Sequence, residues 1–96
     1  MILDEIKAKI AEKKNVLAES FKVKSIGVFG SAANGEFTAE SDVDILVEFF
    51  ETPDIFEFIR LEEFLTALLG KKVDLATKEA LKPALKGKIL KETIFV

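Results

Sequence analysis

The 96-residue chain has no cysteine and no histidine. Without thiols there is no disulfide framework and no thiolate metal site. Without imidazole there is no histidine general base, no histidine ligand and no Ser-His-Asp triad. Chemistry in this chain therefore runs on carboxylates, serine, lysine or a bound ion. Such an ion would be a hard one that takes oxygen ligands, Mg²⁺ or Mn²⁺ rather than Zn²⁺. Tyrosine and tryptophan are also absent, against nine phenylalanines. Aromatic volume thus comes without polar handles, and some of it is expected at an interface with a partner or in a homodimer. No apolar run approaches the ~20 residues that span a bilayer, and MILDEIKAKI carries acids too early for a secretory leader. A cytoplasmic, membrane-free protein is expected. With two prolines, five glycines, no repeat and no linker, residues 1–96 are expected to form one domain.

The charge is unevenly spread. The net value of −3 conceals −7 over residues 1–70 and +4 over residues 71–96, where seven lysines face three acids. An acidic body argues against direct nucleic-acid binding. The basic stretch suits a nucleotide's phosphates or an acidic partner, although a lysine run is more often simply a solvated helix face.

Apolar spacing sets the elements. Leu3, Ile6, Ile10, Leu17 and Phe21 predict one amphipathic helix over 3–21. Residues 24–29 read as a strand running into Gly30, and residues 31–33 as one helical turn that Ser31 could cap. Residues 43–50 alternate as a strong strand. Asp54 can open a helix over 54–69, with Ile55, Phe58, Leu61, Leu65 and Leu68 along its stripe and Gly70 as its stop. A short strand at 72–76 follows, then helical pieces broken at Pro83 and Gly87, then a last short strand in TIFV. The fold class is α/β (α+β): a small mixed or antiparallel twisted sheet flanked by helices. The link between the first two strands is too short for a long crossover, so they are expected as neighbours.

Three features carry chemistry. Asp42 and Asp44 stand two apart at the start of a strand, so both carboxylates project to one face while Val43 packs inward. Carboxylates this close repel unless a cation lies between them. Gly30 allows close backbone approach, and the turn's N–H groups with the Ser31 hydroxyl suit a phosphate oxygen. Asp74, between Val73 and Leu75, is an acid at the middle of a short apolar strand read as buried, which needs a reason. A third carboxylate there would complete a two-metal site. Each feature has an ordinary reading taken singly: a turn, a cap or solvated edge, and an edge-strand charge. The joint order is more specific than any part.

That order, GSAANGEFTAESDVD, resembles the signature of the DNA polymerase beta-like nucleotidyltransferase superfamily: Gly-Ser, ten residues, Asp-x-Asp. The chain's length, the later VDL acid and the IFV end are similar to its smallest branch, the minimal nucleotidyltransferases. The resemblance covers nearly the whole chain and implies the nucleotidyltransferase fold. It also implies that AMP moves from ATP onto a Tyr of a HEPN-domain toxin, which is thereby silenced. By the same resemblance Gly30 and Ser31 hold the triphosphate, Asp42 and Asp44 bind Mg²⁺ and phosphates, and Asp74 completes the metal site. The turn departs from the usual Gly-Ser-aromatic-or-Arg-Ala-Arg/Lys-Gly, reading Ala32 and Asn34 at the bulky and basic positions. The missing charge is left to a lysine of the basic stretch. A non-catalytic module that silences its partner by occlusion is the alternative, and an enzyme acting on a small molecule or tRNA a third.

Overall fold

A computed structural model describes residues 2–36, 38 and 40–96. Its elements are α1 (Leu3–Glu12), α2 (Lys14–Ser20), β1 (Val23–Phe29), α3 (Ser31–Asn34), β2 (Val43–Phe49), α4 (Ile55–Leu69), β3 (Val73–Thr77), a 3₁₀ turn (Lys78–Ala80), α5 (Pro83–Glu92) and β4 (Ile94–Phe95). The four strands form one mixed sheet in the order β3-β2-β1-β4. β1 runs antiparallel to β2 and β4, and β2 runs parallel to β3. The first two strands are neighbours, as their short connection requires.

Period-two alternation divides the sheet. Ile26, Val28, Val43, Ile45, Val47, Val73 and Leu75 lie on one face and pack with Ile6, Ile10, Leu17, Leu61, Leu65 and Leu69 of the helices, all of them buried. This is the core, and burying such aliphatic side chains contributes about 1.5–3 kcal/mol each. The second face carries Ser25, Gly27 and Phe29 opposite Glu48, Leu46 and Asp44. There the end of the chain comes close: a Cβ on Gly27 would press on Thr93 and on the Ile94 carbonyl. Leu46, beside Gly27 in register, is buried. The part of this face that holds Asp44 and Asp74 stays more open.

The α4 signals are local and hold. The Asp54 carboxylate accepts the Glu57 N–H at 2.8 Å, and Gly70 closes the helix at φ 70°. Its buried stripe is Leu61, Leu65 and Leu69, with Phe58, Phe64 and Leu68 packed beside it, while Ile55 is exposed. Two of its side chains also protect the sheet. β3 is an edge strand, and its outward N–H groups at Val73 and Leu75 are taken by Thr66 Oγ1 at 3.2 Å and Glu62 Oε2 at 3.5 Å.

Three expectations about elements are corrected. The predicted helix over 3–21 is two helices, because Lys13 leaves helical geometry (φ −106°, ψ 12°). No residue between Ile10 and Leu17 is buried, so packing does not hold that stretch straight. α5 runs unbroken through Gly87, since a glycine inside a helix costs only about 1 kcal/mol. Pro83 starts α5 rather than interrupting a helix, because its missing N–H is unneeded in the first turn. The final strand does pair, with Ile94 and Phe95 against Val28 and Gly27.

The surplus phenylalanines divide as well. Phe49 and Phe64 pack against the core, whereas Phe50 and Phe56 are 64% and 74% exposed. Among the described residues no helix is long and apolar enough to cross a membrane.

Candidate active site

The site begins with Asp44. It is the second residue of β2, between Phe29 of β1 on one side and Asp74 of β3 on the other. Side chains at paired positions share a face and sit roughly 5 Å apart. The Asp44 and Asp74 carboxylates therefore project side by side, and Asp42, two residues back, projects the same way. Val43 between them is fully buried, as expected. Sequence alone left open which strand lies on the other side of β2 from β1, and the parallel register of β2 with β3 settles it.

β1 delivers the second part. It ends at Phe29, and Gly30 turns the chain with φ 67° and ψ −147°. This positive-φ conformation favours glycine, and a Cβ there would strike the Asp44 carboxylate. So the Gly-Ser turn lies directly against the acids. Ser31 is not the cap expected of it: Gly30 is the N-cap of α3, and Ser31 is the first helical residue. Gly30 O accepts the Ala33 and Asn34 N–H groups. The Ser31 hydroxyl has no partner among the described residues and is free for a ligand. Ala32 is buried with the core, and exposed Asn34 turns its Oδ1 to the Glu36 N–H at 3.1 Å.

Asp74 is corrected in one respect. It is not an acid within a buried strand, because β3 is an edge and Asp74 is exposed. The ordinary edge-strand reading thus accounts for its being tolerated. It does not account for its alignment with Asp44 on the face that carries Asp42.

The electrostatics follow from this placement. Burial pushes the Asp44 carboxyl above its ordinary value of 3.8, and the charges of Asp74 and then Asp42 push it further. Asp44 accepts no hydrogen bond among the described residues. At Asp42, the Lys72 ammonium stands 4.0 Å from Oδ2, a loose and exposed pair. Surplus negative charge, oxygen-only donors and an unpaired half-buried carboxylate all fit a hard divalent cation. Among the described residues no three His, Cys, Asp or Glu side chains converge tightly enough to enclose a metal as they stand. The acids form an open row, not the closed set the sequence suggested.

A shallow hollow of about 160 Å³, lined by Phe49, Thr52, Pro53, Thr77 and Glu79, lies at the other end of β2 and β3. The run from Asp44 to Phe49 is roughly 16 Å of extended strand, so this hollow is separate from the acids. Sequence reasoning did not single out Lys72. Its signal was present: Lys72 precedes Asp74 by two residues, as Asp42 precedes Asp44.

Similarity to known proteins agrees with this arrangement. A family profile described as a nucleotidyltransferase domain matches residues 10–96. Protein adenylyltransferase MntA of Thermococcus cleftensis is 47% identical over 96 residues, covering all of this chain and 97% of that one. A solved structure described as a minimal nucleotidyltransferase superposes with a TM-score of 0.84 at 34% identity, covering 98% of this chain and 95% of the other. A crystal structure of a toxin-antitoxin with AMP-PNP gives a TM-score of 0.73 at 26% identity, covering 92% and 69%. With its carboxylates aligned across β2 and β3 and its Gly-Ser turn against them, this chain belongs to the nucleotidyltransferase domain family and is a transferase enzyme.

Proposed function

We propose that this protein transfers AMP from ATP onto a tyrosine of a HEPN-type toxin and so acts as that toxin's antitoxin. The observation that carries the proposal is the alignment of Asp44 with Asp74, with Asp42 on the same face, directly under Gly30. The MntA relative and the toxin-antitoxin structure support the choice of a protein acceptor and of a toxin as partner.

In this reading the turn receives the triphosphate: Ser31 donates its free hydroxyl, and Gly30 lets the phosphates approach the backbone. Asp42 and Asp44 would hold a divalent cation with the phosphates, and Asp74 would complete the metal site on the acceptor side. The cation supplies positive charge that draws in the triphosphate and makes the acceptor hydroxyl more acidic. The tyrosine oxygen forms a bond to the α-phosphorus, and the bond from that phosphorus to the β-phosphate oxygen breaks. Pyrophosphate leaves with the electron pair, and Asp74 takes the hydroxyl proton. The products are an AMP-tyrosine ester and pyrophosphate.

Incubation of the protein with Mg²⁺, its toxin partner and ATP labelled on either the α- or the γ-phosphate tests this. The α-label is expected on the partner and the γ-label is not. Asp42→Asn is expected to abolish transfer while leaving the fold intact. Retention of the γ-label, or no transfer by the wild type, would contradict the proposal.

A second reading, silencing by occlusion without chemistry, is favoured by one feature. Phe50, Ile55, Phe56 and Ile59 form an exposed apolar surface at the start of α4. It lies at the end of β2 away from the acids, so a partner could dock there without using them.

A further inference from the structure

We infer that Lys72 is a triphosphate-binding residue of this site: it neutralises Asp42 when the site is empty and turns to the phosphates of ATP when nucleotide arrives. The inference rests on the nucleotidyl-transfer reading and adds to it the source of the site's positive charge.

The placement comes from the sheet. Val43 pairs with Val73 and Asp44 with Asp74 in parallel register. One step earlier, Asp42 lies beside Lys72, and the Val43 N–H donates to the Lys72 carbonyl at 2.9 Å. Lys72 shares its face with Asp74, and Asp42 shares its face with Asp44. The four side chains therefore make a two-by-two block on one face, three acids and one lysine. Lys71 has the opposite parity and donates to the Thr38 carbonyl at 3.4 Å.

The need comes from charge. A triphosphate approaching three carboxylates is repelled, and the turn from Gly30 to Gly35 offers N–H groups and a hydroxyl but no cationic side chain. A divalent ion offsets part of the repulsion. Lys72 is the lysine that the strand register fixes at the same place, on a flexible stem that can swing several ångströms.

The present contact suits that exchange. At 4.0 Å, with the Lys72 side chain 80% and the Asp42 side chain 45% exposed, the pair contributes little to stability. A cation engaging Asp42 displaces the ammonium at small cost and frees it for phosphate.

The test compares wild type with Lys72→Gln and Lys72→Arg in three titrations: a non-hydrolysable ATP analogue with Mg²⁺, AMP with Mg²⁺, and Mn²⁺ alone. Thermal melting of the unliganded proteins accompanies them. In Lys72→Gln, affinity for the ATP analogue is expected to fall about tenfold, the scale of one charge-assisted hydrogen bond. AMP should bind nearly as before, Mn²⁺ alone at least as tightly as in wild type, and the melting temperature should hold. Lys72→Arg should recover most of the triphosphate affinity. An unchanged ATP affinity in Lys72→Gln would overturn the inference, as would equal losses for ATP, AMP and Mn²⁺, which would mark a structural role. A wild type that binds Mn²⁺ but no nucleotide would refute the parent reading instead.

Discussion

Asp44 concentrates the tension in this site. It is half-buried, lacks a hydrogen-bond partner among the described residues and faces two further carboxylates, and its carboxyl is held above the ordinary value. For an acid, a raised folded value means that the fold prefers the protonated form. Its contribution to stability is fully present below the unfolded value and is lost as pH rises from there through the raised folded value. Above that raised value the cation-free protein carries the whole repulsion. Asp44→Asn removes it and keeps the shape. In chelator, the variant is expected to melt above wild type at pH 7, by roughly 4–8 °C for each kcal/mol relieved, with less than about 1 kcal/mol expected from adjacent like charges. The gap should shrink on acidification and close when Mg²⁺ is added to wild type. Melting curves at several pH values with and without Mg²⁺ check this. A variant less stable than wild type in chelator at pH 7 would contradict it.

At the scale of elements, legibility depended on how local the cause was. The Asp54 cap and the Gly70 stop are written in adjacent residues, and both ends of α4 form where the sequence places them. The break at Lys13 and the continuity of α5 through Gly87 are decided by what each helix packs against, which periodicity does not contain. Alternation put Asp42 and Asp44 on one face, but did not show that β3 lies beside β2, that Asp74 shares that face or that β3 is an edge. Hence Asp74 was expected in a buried strand, whereas it stands exposed on an edge, and Lys72 beside Asp42 was not singled out. The exposed start of α4 is a further element-scale matter, because a helix normally buries its apolar residues. Phe56→Ser is expected to leave stability nearly unchanged, since the ring is 74% exposed, and to weaken binding of the toxin partner at least about tenfold if Phe56 anchors the contact. Pull-down and calorimetry with that partner check it. With Asp42→Asn, it separates the two readings: occlusion alone predicts that Phe56→Ser releases the toxin while Asp42→Asn still restrains it. Transfer predicts that Asp42→Asn releases it too.

At the scale of the whole molecule, one sheet divides the work. Its first face holds the aliphatic core against α1, α2 and α4. On its second, the chain end packs near Gly27 while the charged block of Asp42, Asp44, Lys72 and Asp74 lies at the start of β2 and β3. The rigid sheet sets where each carboxylate starts, and among the described residues the acids stand as an open row. In the proposed function these acids act as one cation and nucleotide site. Titration with Mn²⁺ and a non-hydrolysable ATP analogue, followed by the loss of the free ion's paramagnetic resonance signal beyond that of a protein-free control, tests it most directly. Wild type is expected to take up Mn²⁺, and Asp42→Asn and Asp74→Asn are each expected to weaken uptake about tenfold or more while remaining folded. Uptake by both variants that matches wild type would contradict the claim.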